Sequence, residues 1–150
     1  TRVDGTETRS YAGLEESLRA IERACERDGP FDGILGFSQG ATLAAIALAT
    51  PRMRERFGFG IFVSGMKSRA TETATLAYDA VTVPTLHVIG RKDRVMPVGM
   101  SEGLSEAMTS SARMRATHGG GHVVPRSDDD GEPVLREFLA AQSRRIASSL

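Results

Sequence analysis

The chain has 150 residues, with 19 Lys plus Arg against 19 Asp plus Glu, and its formal net charge at pH 7 is zero. This length and a hydrophobic fraction of 40% predict one globular domain and exclude a disordered or fibrous chain. Nucleic acid is a poor candidate partner, because no global positive field would hold a polyphosphate.

Apolar stretches and the single cysteine bear on the cellular setting. The longest apolar stretches, residues 41–49 and 81–89, are shorter than the roughly 18 to 20 residues that span a bilayer. We expect no membrane span and no secretory signal. Cys25 cannot form an internal disulfide, which is typical of a reducing compartment, so we expect a cytoplasmic protein. The sequence leaves the oligomeric state open.

The first half of the chain alternates between helix-like and strand-like runs. Leu14, Leu18, Ile21 and Cys25 form the apolar stripe of a helix that ends at residues 28–30, which predicts a buried structural thiol at Cys25. The following elements are a strand over residues 31–37, a helix over 39–50 ended by Pro51, and a strand over 59–63. Residues 66–80 are predicted as a loop or a short cap.

The second half continues the alternation. A third strand covers residues 83–90, a weak helix 100–108, and a short strand 113–117. Pro133 opens a final helix, predicted to face inward with Val134, Leu135, Phe138, Leu139, Ala141 and Ile146. Apolar strands alternating with helices predict an α/β fold with a parallel sheet covered by helices on both faces.

Three consecutive aspartates, residues 128–130, precede the final helix. A metal site is conceivable there. Negative charge before a helix N-terminus also favours the helix dipole, and we prefer this solvated-cap interpretation. The sequence therefore predicts no metal site.

The pattern G-x-S-x-G, typical of a nucleophile elbow, occurs twice. An elbow needs a strand, a tight turn and then a helix, which lifts the serine hydroxyl above the sheet edge and directs a helix N-terminus at developing negative charge. Ser38, in residues 36–40, has a strand before it and a helix after it. Ser101, in residues 99–103, has no strand before it and suits the first turn of a helix. Ser38 is therefore the candidate nucleophile.

A serine nucleophile requires a histidine base and a carboxylate that orients it. His87 lies within an apolar strand and is predicted as a core residue, whereas His118 and His122 flank three glycines after the last short strand. Spacing alone does not separate these two. Asp93 follows the third strand, and although it could be a charged surface turn, it completes the chain order Ser, Asp, His expected of an α/β-hydrolase.

These motifs resemble the FSH group of serine hydrolases within the α/β-hydrolase superfamily. The similar segments are residues 36–41, 83–90 with Asp93 and 95–97, 120–125, and the helix at 11–18. The resemblance implies Ser38 as nucleophile, Asp93 and His122 as its partners, and the Gln39 backbone N–H as an oxyanion donor. It also implies hydrolysis of small-molecule acyl esters or thioesters without a cofactor.

The chain departs from the superfamily pattern near its beginning. About four strands are predicted where the full fold has about eight, and the early loop that supplies the second oxyanion donor is missing. We therefore expect a single domain, residues 1–150, that is the C-terminal part of an α/β-hydrolase fold.

Alternative functions remain open at this point. Acyl-protein thioesterase-like carboxylesterases rank second, because Ala41 stands where they usually carry another glycine. A non-catalytic binding module on the same scaffold is the alternative from another class. An apolar acyl pocket could be lined by Met66, Met96, Met100 and Phe62, although core positions are favoured for these residue types.

Overall fold

The computed structural model describes residues 2–3, 6–7, 10–126 and 129–148. Two short strands, β1 (Arg2–Val3) and β2 (Thr6–Glu7), pair antiparallel where the sequence predicted no element. The other elements, in chain order, are α1 (Leu14–Asp28), β3 (Ile34–Phe37), α2 (Gln39–Ala49), α3 (Pro51–Arg54), β4 (Gly60–Val63), β5 (Thr85–Gly90), α4 (Val98–Ala107), β6 (Arg113–His118) and α5 (Glu132–Ala147). Residues 66–80 contain two short 3₁₀ turns, Thr71–Thr73 and Tyr78–Ala80.

Strands β3 to β6 form one sheet in the spatial order β3-β4-β5-β6, with every neighbouring pair parallel. The parallel α/β sheet predicted from apolar strand composition is confirmed. Because the strands run in one direction, all four carboxyl ends lie at one edge, where Phe37 is in register with Val63, and Val63 with Val88. The loops that follow these strands therefore meet above the same edge.

Helices cover both faces of the sheet, as predicted. One face packs against α1, α2 and α4, with Phe62 of β4 pointing toward them. The opposite face packs against α5, whose Phe138 contacts a cluster that includes Ile61 and Val63 of the same strand. The alternation of side chains along β4 thus divides the core into two apolar clusters.

Several predicted details differ. Pro51 follows the end of α2 and is also the first residue of α3, where its missing N–H costs no hydrogen bond. The strand predicted over residues 31–37 begins at Ile34. Cys25 is half-buried rather than buried. Leu139 was predicted to face inward and is instead 41% exposed, since Phe138 and Gln142 occupy the buried side of α5.

Strand β3 lies at the edge of this sheet, paired only with β4 among the described strands. Two of its apolar side chains, which point to the same face of the sheet, are exposed: Leu35 by 60% and Phe37 by 37%. Apolar edge strands are usually covered in native proteins. None of the helices within the described residues is long and apolar enough to cross a membrane.

Candidate active site

Ser38 occupies the tight turn between β3 and α2. Its φ of 55° lies in the left-handed region that side chains rarely adopt. Its backbone N–H donates to the Val63 carbonyl at 2.8 Å, and its own carbonyl accepts from Ala41 at 3.0 Å. The strained strand-turn-helix geometry predicted for an elbow is present at this serine.

The two glycines that flank the turn are not equivalent. A Cβ on Gly36 would lie 2.2 Å from the Gly40 carbonyl oxygen, so only glycine lets α2 approach the end of β3. A Cβ on Gly40 would meet nothing within 4 Å. The turn therefore needs a glycine at position 36 and has room for a side chain at position 40.

Asp93 follows β5, and its side chain is only 2% exposed. Carboxylate Oδ1 accepts hydrogen bonds from the backbone N–H groups of Val95, at 2.9 Å, and Met96, at 2.7 Å. Burial by itself raises the pKa of this carboxyl. The two amides and the side chains of His122 and Ser64 outweigh burial, so the pKa lies below its usual value and the ionised form is favoured.

His122 connects Asp93 with Ser38. Its Nδ1 lies 2.8 Å from Asp93 Oδ2, and its Nε2 lies 2.8 Å from Ser38 Oγ. The ring of Phe37 packs against the imidazole with centroids 4.8 Å apart, a contact that the sequence did not predict. The structure therefore brings together the three side chains singled out from the sequence.

The other two histidines are placed elsewhere. His118 is the last residue of β6 and is fully buried, and neither of its ring nitrogens has a hydrogen-bond partner among the described residues. His87 is buried in β5, as predicted, and burial, followed by the charges of Arg113 and Arg115, lowers its pKa to about 3. Neither imidazole hydrogen-bonds to Ser38 or Asp93.

Ser101 and the aspartate run also lie outside the site. Ser101 is buried within α4, in agreement with its predicted structural role. Asp128 lies outside the described residues. Asp129 accepts from the Arg126 N–H and Asp130 pairs with Arg91, so both bind loop groups rather than capping α5. Within the described residues, no group of three or more His, Cys, Asp or Glu side chains could hold a metal ion.

A cavity of about 380 Å³ opens beside Ser38 and is mostly apolar. Met66 and Met96 line it, as the pocket interpretation predicted, whereas Phe62 is in the core and Met100 is not among the lining residues. Larger apolar residues that were not predicted also line it: Tyr11, Leu14, Leu43 and Ile46. The sequence could have indicated Leu43 and Ile46, because α2 is apolar on every side and such a helix must bury more than one face.

Gln39 is the first residue of α2. Its N–H is one of the N-terminal amides that have no intrahelical acceptor, and it lies at the positive end of the helix dipole. The arrangement combines a serine hydroxyl facing an imidazole, an ionised carboxylate behind that imidazole, and a helix N-terminus next to the hydroxyl. Such a set can activate an oxygen nucleophile and stabilise an oxyanion.

Comparisons with known proteins show the family of the chain. A family model described as "Serine hydrolase (FSH1)" matches residues 2–134. Two similar relatives are named Esterase OVCA2: the Xenopus tropicalis protein is 43% identical over 136 residues and the Danio rerio protein 41% identical over 136 residues. These matches cover 89% and 87% of this chain but only 58% of each relative, so the chain spans little more than half their length.

Solved structures show the same architecture. Zea mays acyl-protein thioesterase 2 superposes with a TM-score of 0.66 at 19% identity, over 87% of this chain and 65% of that one. Paleococcus ferrophilus monoacylglycerol lipase superposes with a TM-score of 0.67 at 14% identity, over 92% of this chain and 77% of that one. At these identities the likeness shows the fold alone.

Proposed function

The chain belongs to the FSH1 serine hydrolase family and has the α/β-hydrolase fold, and we propose that it carries the Ser-His-Asp triad of an enzyme that hydrolyses acyl esters or thioesters. One observation carries the proposal: His122 lies within 2.8 Å of both Ser38 Oγ and Asp93 Oδ2. In this proposal Ser38 is the nucleophile, His122 the general base and Asp93 the group that orients the imidazole.

The reaction proceeds through an acyl-enzyme. Ser38 Oγ attacks the substrate carbonyl while His122 Nε2 accepts the hydroxyl proton, and Asp93 stabilises the resulting imidazolium. The Gln39 N–H, at the N-terminus of α2, donates to the oxyanion. His122 then gives its proton to the leaving alkoxide or thiolate. A water molecule, deprotonated by the same imidazole, releases the carboxylic acid and regenerates Ser38.

The cavity beside Ser38 supports an apolar acyl group as substrate. Its wall includes Leu43 and Ile46 of α2 together with Met66 and Met96 from loops. Apolar walls favour an acyl chain over a polar or charged acid portion. The esterase names of the two relatives favour an oxygen ester over a thioester.

We propose that further strands pair with the edge of β3, because β3 has one strand partner among the described residues, Leu35 on it is 60% exposed, and the chain spans 58% of two relatives. A loop after one of these strands is the expected source of the second oxyanion N–H donor. Loss of one such donor lowers kcat by about 10² to 10³-fold, so the activity of residues 1–150 alone should lie well below that of the longer protein.

Fluorophosphonate labelling tests the assignment, with the labelled peptide mapped by mass spectrometry. We expect labelling at Ser38 in the longer protein, none in Ser38→Ala, and full labelling in the matched variant Ser101→Ala, whose serine is buried in α4. Retained hydrolysis in Ser38→Ala would refute the triad. The absence of labelling in the longer protein would favour the non-catalytic binding module.

A further inference from the structure

The loops that carry Asp93 and His122 contact each other through their backbones. The Arg91 N–H donates to the His118 carbonyl at 2.8 Å, and the Lys92 N–H donates to the Gly120 carbonyl at 3.0 Å. A Cβ on Gly90 would lie 2.3 Å from the Gly121 carbonyl oxygen, so the two backbones are in close approach. The end of β5 therefore supports the loop that leads to His122.

Asp130 joins the same two loops through its side chain. Its Oδ1 accepts a hydrogen bond from the Gly119 N–H at 2.9 Å, and its Oδ2 lies 2.5 Å from Arg91 Nη2. Arg91 Nη1 also donates to Thr117 Oγ1 at 3.3 Å. The hydrogen bond from Arg91 lowers the pKa of Asp130, which keeps the carboxylate charged.

The segment that these contacts hold is intrinsically hard to order. Residues 119–121 are three consecutive glycines, and glycine loses more backbone freedom on folding than any other residue. His122 follows directly and must meet Ser38 and Asp93 together, a geometry that tolerates an error of only about 0.5 Å. The loop thus needs an anchor close to its first glycine, and Gly119 is where Asp130 binds.

We propose that Asp130 and Arg91 are positioning residues that fix the Gly119–Gly121 loop and thereby hold the His122 imidazole between Ser38 and Asp93. The inference rests on the proposed function for its effect on rate. Its structural part, the orientation of His122, can be measured without turnover.

A purely structural ion pair would behave differently. The side chains of Arg91 and Asp130 are 52% and 51% exposed, and exposed pairs contribute little to the stability of a fold. A positioning pair changes rate far more than stability. The chain offers a control in Arg136, which is 75% exposed and pairs with Glu132 at the same 2.5 Å separation within α5.

Three variants test the role of Asp130: Asp130→Ala, Asp130→Asn and the control Arg136→Ala. The alanine loses both contacts, whereas the asparagine keeps an oxygen for the Gly119 N–H and loses the charge and the hydrogen bond from Arg91, because its NH₂ group then faces the guanidinium. We expect the labelling rate at Ser38 to fall by about 10 to 100-fold in Asp130→Ala, because a misplacement of about 1 Å costs on the order of 10²-fold. Asp130→Asn should lose less, and Arg136→Ala should match the wild type.

The second readout is the tautomer of His122, followed by ¹⁵N NMR in protein labelled at histidine. We expect the Nδ1–H form in the wild type and in Arg136→Ala, and a mixture of tautomers in Asp130→Ala. Wild-type tautomer and labelling rate in Asp130→Ala would overturn the inference, as would equal losses in Arg136→Ala. If Asp130→Ala does not fold, the same comparison with Asp130→Asn decides. A wild type that is not labelled refutes the proposed function, and the tautomer measurement still decides the role of Asp130.

Discussion

His122 Nε2 lies 2.8 Å from Ser38 Oγ, although 84 residues separate the two in the sequence. The parallel sheet accounts for this contact, because β3, β5 and β6 end at one edge and Ser38, Asp93 and His122 each follow one of these strands. Strand β4 ends between them, and Ser64 at its end contributes to the low pKa of Asp93. The sheet direction, rather than any local segment, therefore builds the site.

Asp93→Asn should abolish most activity while preserving the fold. The asparagine carbonyl can still accept the Val95 and Met96 N–H groups, which places its NH₂ group where Oδ2 faces His122 Nδ1. An NH₂ donor there makes Nδ1 an acceptor, so Nε2 carries the proton and no longer accepts one from Ser38. We expect kcat to fall by about 10³ to 10⁴-fold, measured by steady-state hydrolysis of an aryl ester in the longer protein.

The control for this substitution is Asp79→Asn, which changes an exposed carboxylate in a 3₁₀ turn. It should leave kcat unchanged. A loss of less than about tenfold in Asp93→Asn, with the wild-type circular dichroism spectrum, would show that Asp93 does not orient His122.

Gly36→Ala and Gly40→Ala should have opposite effects on stability. The new Cβ at position 36 would collide with the backbone of α2, which cannot move as a flexible side chain can. We expect a loss of about 1 to 3 kcal/mol or more in the free energy of unfolding. The Cβ at position 40 meets open space inside a helix, where alanine is favoured over glycine by up to about 1 kcal/mol. Urea unfolding measures both, and equal destabilisation would contradict the described elbow.

Much of this architecture was predictable because the strands are short apolar runs bounded by turn residues. The helical spacing of apolar residues predicted α1, and glycine and proline residues near the ends of β5 and α5 predicted where these two elements lie. Periodicity could not settle which histidine faces Ser38, since His118 and His122 both follow the predicted strand at residues 113–117. The resemblance to the FSH group favoured His122, and the structure supplies a physical reason: β6 extends to His118 and buries it, whereas His122, after the three glycines, reaches Ser38.

Contacts between loops were the least predictable part. The three aspartates look like a helix cap in the sequence, and nothing local indicates that Asp130 binds Arg91, 39 residues earlier. The same limit applies to the cavity, where Tyr11 and Leu14 meet residues of α2. Contacts of this kind depend on how the ends of the strands are arranged in three dimensions, and a short segment of sequence does not determine that arrangement.

His87 should make the fold sensitive to acid. Its usual pKa near 6.5 is lowered to about 3 by burial, so below about pH 6.5 the unfolded chain binds a proton that the folded chain excludes. Stability should therefore fall as the pH drops from about 6.5 to 3, by up to about 1.4 kcal/mol per pH unit from this residue. Neither ring nitrogen has a partner among the described residues, so His87→Leu loses no hydrogen bond.

The measurement is urea unfolding of the wild type and His87→Leu at pH 7.5 and 4.5. The contributions of other titrating groups cancel when the two proteins are compared. We expect His87→Leu to lose less stability than the wild type between these pH values. An identical loss would mean that His87 is protonated in the fold at pH 4.5.

Leu35→Lys should reduce the self-association of residues 1–150 alone and should lower the stability of the longer protein. In the shorter chain, Leu35 of the edge strand β3 is 60% exposed, and an exposed apolar side chain on an edge strand favours association with other chains. A lysine there should shift sedimentation profiles toward the monomer, whereas the control Leu139→Lys, on the exposed side of α5, should not. If further strands cover this edge in the longer protein, the same lysine becomes a buried charge and should lower its melting temperature. An unchanged melting temperature would show that the edge stays open to solvent there as well.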